Sequence, residues 1–202
     1  MSVFGNETPG ASRAVVGGYI LGSWFTCPTD GTANNITAYV EGAARDPFKC
    51  AIYRRADNRL VGVTEEITLD GPLTGWLAFN FSEPKPALAP GTDYYLVCWG
   101  RYTTQYLYFD YPGKSGNQRI SYGAWPDPWS PTIDPDPYAK NYSVFCTYTP
   151  VAPPPTRRLR VESEPISVPV TLNGAPVGNT PVEADVEEGT HEVGVPEEAT
   201  AP

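Results

Sequence analysis

The chain has 202 residues, 41% hydrophobic and 18% charged, with a formal net charge of −9. That composition supplies a core and excludes a disordered chain. The negative charge argues against non-specific nucleic-acid binding and against docking on anionic lipid. No run approaches the roughly 20 apolar residues of a membrane helix, so membrane insertion is not expected.

The opening, "MSVFGNETPGAS", carries neither a basic nor an apolar signal region, and no secretion signal is expected in it. Helical periodicity is nearly absent along the chain, and two-residue alternation is common. In "NITAYVEG", Ile36, Ala38 and Val40 face one way, and Thr37, Tyr39 and Glu41 the other. In "FKCAIYR", Phe48, Cys50 and Ile52 oppose Lys49, Ala51 and Tyr53. "GWLAFNF" sets Leu77, Phe79 and Phe81 against Trp76, Ala78 and Asn80. "DYYLVCWG" and "YSVFCTYT" are apolar on both faces, as central strands are. Turn signals such as Asp57-Asn58, Asp70-Gly71-Pro72 and Pro90-Gly91 separate these runs. Roughly nine short strands are expected before residue 150, which suits a jelly-roll β-sandwich over 1–148.

"WGRYTTQYLYFDYPG" (99–113) concentrates six aromatic rings. Read as a strand, Leu107, Phe109 and Tyr111 share one face, and Tyr106, Tyr108 and Asp110 the other. The proline-rich stretch "YGAWPDPWSPTIDPDPY" (122–138) adds Trp125, Asp127 and Trp129. Flat rings beside carboxylates suit a sugar, whose C–H faces stack while its hydroxyls donate. Tyr106, Tyr108, Asp110, Trp125, Asp127 and Trp129 are therefore the candidate ligand-binding residues. The same rings also suit core or loop packing, or a subunit contact. Asp127, Asp134 and Asp136 are candidate calcium ligands, and no other cofactor is expected.

The four cysteines stand in strand-like contexts. Buried free thiols are one reading. Cross-strand disulfides are the other, with Cys50–Cys98 and Cys27–Cys146 as the pairs. A zinc site is not expected, because no C-x-x-C pair occurs and the sole histidine, His191, is remote in sequence. No catalytic triad, phosphate loop or marked carboxylate pair is present, and Glu65-Glu66 reads as a solvated strand edge. The chain is expected to be non-catalytic.

"TPVAPPPTRR" marks a composition shift, and residues 149–157 are expected to form a stiff polyproline II linker. Residues 157–202 hold three arginines against nine acidic residues. They still alternate, and Asn173-Gly174 between apolar residues is a strong hairpin signal. A β-module of about four strands is expected over 158–202.

The stretch 163–195 resembles the PEGA domain through Asn173-Gly174, Gly178-Asn179-Thr180-Pro181 and Gly189-Thr190-His191-Glu192-Val193. It departs at the namesake tetrapeptide, which reads Pro165-Ile166-Ser167-Val168, and at its close in "VPEEATAP". The module is expected to be either truncated or completed by a neighbour. The resemblance implies a structural or surface-display role. The first 150 residues resemble jelly-roll modules of virion and cell-surface proteins, whose architecture is like that of carbohydrate-binding modules. The resulting expectation is a structural protein of a virion or extracellular surface, forming homo-oligomers or joining other structural subunits. The alternative is an adhesion module binding a surface glycan.

Overall fold

The computed structural model describes residues 1–152, 155–164 and 167–196, and among them it forms strands and no helix. The first compact unit is Met1–Val151. Its strands are β1 (Ser2–Gly5), β2 (Ser12–Val15), β3 (Tyr19–Thr26), β4 (Gly31–Gly42), β5 (Pro47–Arg54), β6 (Arg59–Thr68) and β7 (Leu73–Asn80). There follow β8 (Ala87–Leu88), β9 (Asp93–Gly100), β10 (Tyr106–Asp110), β11 (Ser115–Arg119), β12 (Thr132–Ile133), β13 (Asn141–Tyr142) and β14 (Val144–Pro150).

Strands β1, β2, β4, β7, β8, β10, β13 and β14 form one antiparallel sheet. The other has the order β12-β11-β3-β9-β5-β6. The chain passes repeatedly from one sheet to the other, as in double-sheet jelly rolls. Between them lies a core that draws Phe4, Ile36, Val40 and Phe79 from the first sheet and Leu21, Phe48, Ile52 and Leu96 from the second.

The long strand β4 shows why the pattern folds this way. Ile36, Ala38 and Val40 are fully buried, whereas Thr37, Tyr39 and Glu41 on the opposite face are half-buried. β7 keeps the same alternation opposite it, pairing Tyr39 with Trp76 and Ile36 with Phe79. Strand β5 departs from expectation: Phe48, Cys50 and Ile52 are buried, but so are Lys49, Ala51 and Tyr53. The reason is a third layer. Residues 120–131 fold over the outer face of the second sheet and build a second apolar cluster there. The strand count also exceeds nine, because β1, β2 and β11 to β13 are too short or too polar to stand out in sequence.

A bulge in the β5–β6 pairing lies opposite Cys50, where the register shifts between Lys49 and Ala51. The Thr64 hydroxyl fills it, accepting from the Cys50 N–H at 2.9 Å and donating to the Cys50 carbonyl at 3.0 Å. Thr64→Val would leave both buried backbone groups unpaired, and is expected to cost about 1–3 kcal/mol. Urea denaturation reads this directly, and an unchanged midpoint would show that the bulge does not depend on the hydroxyl.

The sandwich runs a little further than 148. β14 continues to Pro150, and the Val151 N–H donates to the Asp30 carbonyl. The next strand starts at Thr156. The expected polyproline II spacer falls partly on Pro153 and Pro154, which lie outside the described residues.

The second compact unit is Ala152–Pro202. It contains β15 (Thr156–Val161), β16 (Pro169–Leu172), β17 (Ala175–Asn179), β18 (Val182–Glu187) and β19 (Val193–Gly194). β15 pairs with β18, and β16 lies between β17 and β19. Leu159, Val161, Val170, Leu172 and Val182 face one another inside, with the exposed Val193 at their edge. Leu172 pairs with Ala175 across a two-residue turn. Asn173 (φ 51°) and Gly174 (φ 81°) both take the positive φ that such a tight hairpin requires.

Candidate binding surfaces

The structure splits the six expected ligand-binding residues between opposite sides of the sandwich. Trp125, Asp127 and Trp129 lie in the segment covering the second sheet. Tyr106, Tyr108 and Asp110 lie on β10, in the first sheet. They form no single platform.

On the second sheet the rings are packing. Trp129 is 1% exposed, and its ring sits 4.9 Å from Tyr95 and 5.4 Å from Tyr53. It cannot present a face to a ligand, which corrects the expectation for this residue. Trp125 contacts Trp99 at 5.1 Å and Tyr53 at 6.2 Å, and Trp24 meets Tyr95 at 5.4 Å. The row ends in cations. The Lys49 ammonium lies 4.5 Å from the Trp99 and Tyr122 ring centres and 5.1 Å from Trp125, and donates to the Gly123 carbonyl. At the far end, the Arg55 guanidinium stacks 4.4 Å over Trp24. A cation over a ring is worth about 0.5–2 kcal/mol, more when desolvated. Burial lowers the Lys49 pKa, Glu66 opposes this, and Arg101 adds a smaller lowering.

The carboxylates of this layer act as fasteners. Asp127 accepts from the Leu60 N–H at 3.2 Å, and Arg59 approaches it at 3.7 Å. Tyr53 donates to the Pro126 carbonyl at 2.8 Å. Asp134 accepts from Ser115 at 2.7 Å, Asn117 at 2.9 Å and Lys140 at 3.1 Å. Among the described residues no group of three or more His, Cys, Asp and Glu side chains is placed to hold a metal, so Asp127, Asp134 and Asp136 are not gathered into a calcium site. Glu65 and Glu66 are not idle edge charges either. Glu65 accepts from both the backbone and side-chain N–H groups of Asn80, and Glu66 accepts from Tyr122 at 2.6 Å.

The first sheet's outer face differs, because no loop segment of its own unit packs over its rings as 120–131 does on the second sheet. Tyr39 on β4 contacts Trp76 on β7 at 5.2 Å and Tyr108 on β10 at 5.0 Å, both edge-to-face. Trp76 also meets Phe145 on β14 at 5.2 Å. These four rings are half-buried and form a row across four strands. Beside them, Glu41 accepts from the Arg13 guanidinium and from the Tyr108 hydroxyl, the latter at 2.7 Å. Arg13 in turn lies 4.2 Å over Tyr106. Asp110 is tied down by the Ala11 N–H at 2.9 Å. Leu107 and Phe109 are buried as expected, but Tyr111 falls outside the strand and is 53% exposed. Sequence reading placed Tyr39 and Trp76 outward on separate strands and missed that cross-strand register joins them to Tyr108.

The hydrogen bonds from Arg13 and then from Tyr108 hold the Glu41 carboxyl below its ordinary pKa of 4.5. A depressed carboxylate contributes stability above its unfolded pKa and loses it as pH falls through the folded one. The expected result is a Glu41 titration midpoint below 4.5 by carboxyl NMR, rising toward the ordinary value in Arg13→Ala. A wild-type midpoint at or above 4.5 would contradict the geometry.

A further ring, Trp24, was not singled out by sequence. It lines two adjoining clefts, of about 520 and 470 Å³, shared with Pro112, Gly113 and Lys114. Its alternation with Ile20 and Gly22 reads simply as an apolar strand face.

All four cysteines are buried, and neither Cys50–Cys98 nor Cys27–Cys146 is bonded in this structure. Cys50 and Cys98 stand directly opposite each other on neighbouring strands.

In the second unit the polar residues of the sequence motif act as locks. The Thr180 hydroxyl accepts from the Val168 N–H at 3.0 Å, while the Thr180 N–H donates to the Val168 carbonyl at 2.9 Å. His191 Nε2 donates to the Glu187 carbonyl at 2.7 Å, leaving Nδ1 to accept from Asn173 at 3.1 Å. Asn173 Oδ1 accepts from the Glu192 N–H at 3.0 Å, closing the clasp around the hairpin turn. Residues 156–199 match the family model of the PEGA domain. The PEGA match therefore embraces β15 to β19, and its Asn173, Thr180 and His191 hold backbone together. Pro165 and Ile166 of the divergent tetrapeptide lie outside the described residues. PEGA domains are typically extracellular or periplasmic. No curated protein matches the chain. Among the described residues no helix is long and apolar enough to cross a membrane.

Proposed function

We propose that this chain is a non-catalytic structural protein of a virion or cell surface, assembling with further copies of itself through its β-domains. The observation that carries this reading is the contrast between the two outer faces of the sandwich. One is sealed by the chain's own loop. The other leaves Tyr39, Trp76, Tyr108 and Phe145 only half-buried beside Arg13. Aromatic residues and arginine are the types enriched at protein–protein interface cores. The PEGA match, in a family typical of extracytoplasmic proteins, supports the location. Sedimentation velocity across a wide concentration range tests the reading. Wild type is expected to associate and Tyr39→Lys/Trp76→Lys to remain monomeric. A wild-type monomer throughout would overturn it.

One observation favours a second reading, as a glycan-binding adhesion module. The same row of rings lies beside the Glu41 carboxylate, a combination that can stack on a sugar and accept from its hydroxyls. Glycan-array binding that is lost in Trp76→Ala would support this reading. No binding, or binding indifferent to the change, would end it.

A further inference from the structure

We infer that Cys50 and Cys98 are the two halves of a cross-strand disulfide that closes when the protein folds in an oxidising compartment. Three observations carry this, and none depends on the assembly reading. First, the register of β5 with β9 places Cys50 directly opposite Cys98. Second, the pair is of the closer kind. Antiparallel strands alternate between pairs that exchange backbone hydrogen bonds and pairs that do not, and the latter bring the Cα atoms to about 4.5 Å. At Cys50 the N–H and the carbonyl both turn away from β9, toward the Thr64 hydroxyl in the bulge of β6. Cys50 and Cys98 therefore form a non-hydrogen-bonded pair across β5 and β9, within the roughly 4.4–6.8 Å that disulfides span. Third, both side chains are fully buried in the same core, on the inner face of the second sheet.

Burial also sets the order of events. It raises the Cys50 thiol pKa well above its ordinary value, with Cys98 adding to the effect. A thiolate is the attacking species in exchange, so the folded dithiol is a poor nucleophile. The bond forms while the strands assemble and is then shielded from reductant. In balance, two thiols give one S–S bond, two protons and two electrons. A low-molecular-weight or protein disulfide accepts the electrons and is itself reduced to two thiols.

The test refolds the full chain from denaturant in a mixture of oxidised and reduced glutathione. Thiols are then blocked with iodoacetamide under denaturing conditions without reduction, and peptides are mapped by mass spectrometry. A single dominant crosslink between the Cys50 and Cys98 peptides is expected, and it should persist in Cys27→Ala/Cys146→Ala. Alkylated Cys50 and Cys98 in soluble refolded protein, or crosslinks scattered among all four cysteines, would overturn the inference. Should the double variant fail to fold, wild type alone decides. The folded oxidised protein should also resist dithiothreitol far longer than the same protein in denaturant, and equal reduction rates would count against it.

Discussion

Replacing Trp129 with alanine is expected to lower stability by about 3–5 kcal/mol, the range for deleting a fully buried large aromatic. The magnitude reflects its position. The ring is the keystone between Tyr53 and Tyr95, and its backbone N–H donates to the Asn58 carbonyl at 2.9 Å, fastening residues 120–131 to the β5–β6 turn. Without it, Tyr53 and Tyr95 lose their cover together, and Tyr53 also packs against Trp125 further along the aromatic row. Equilibrium denaturation followed by tryptophan fluorescence measures the loss. A change under about 1 kcal/mol would show that the segment is an appendage and not a structural layer. By contrast, Trp76→Ala on the uncovered face removes a half-buried ring. Its cost should be clearly smaller and should fall mainly on association.

The second large effect concerns the covalent state. Closing the loop of about 50 residues between Cys50 and Cys98 is expected to stabilise the fold by about 4 kcal/mol through the lost freedom of the unfolded chain. Oxidised wild type should therefore unfold at a clearly higher urea concentration than the same protein kept in reductant. Cys50→Ala/Cys98→Ala should show no such dependence on reductant. An equal response of wild type and variant would remove the pair as its source. A gain of this size is a large fraction of the roughly 5–15 kcal/mol typical of a domain.

Sequence disclosed those parts of the fold in which one strand face meets the core and the other meets water. β4 and β7 are legible for that reason. So is the Asn173-Gly174 hairpin, where only a few residue types accept the required backbone angles. It failed where long-range covering decides burial. Lys49 and Tyr53 alternate with Cys50 and Ile52 as though solvated, but a segment far later in the chain, 120–131, folds over them. The aromatic and aspartate-rich segment 122–138 is ambiguous for the same reason, since rings beside carboxylates look alike whether they stack on a ligand or on a sheet. Distant partners settle it: Asp127 caps the Leu60 N–H, and Asp134 gathers Ser115, Asn117 and Lys140. The candidate surface was half legible. Tyr106 and Tyr108 were visible as outward residues, while Tyr39 and Trp76 joined them only through strand register, which no local pattern encodes.

The added layer over the second sheet carries a consequence for how the protein can vary. Along β4, tolerance to substitution should rise and fall at every other position, with changes accepted at Thr37 and refused at Ile36 and Ala38. Along Phe48–Tyr53, and along Tyr94–Trp99, each residue meets packed neighbours on whichever side it projects. A saturation-mutagenesis profile should be uniformly intolerant there. The segments packed on both faces would then be the slowest to drift, whether or not they alternate in sequence.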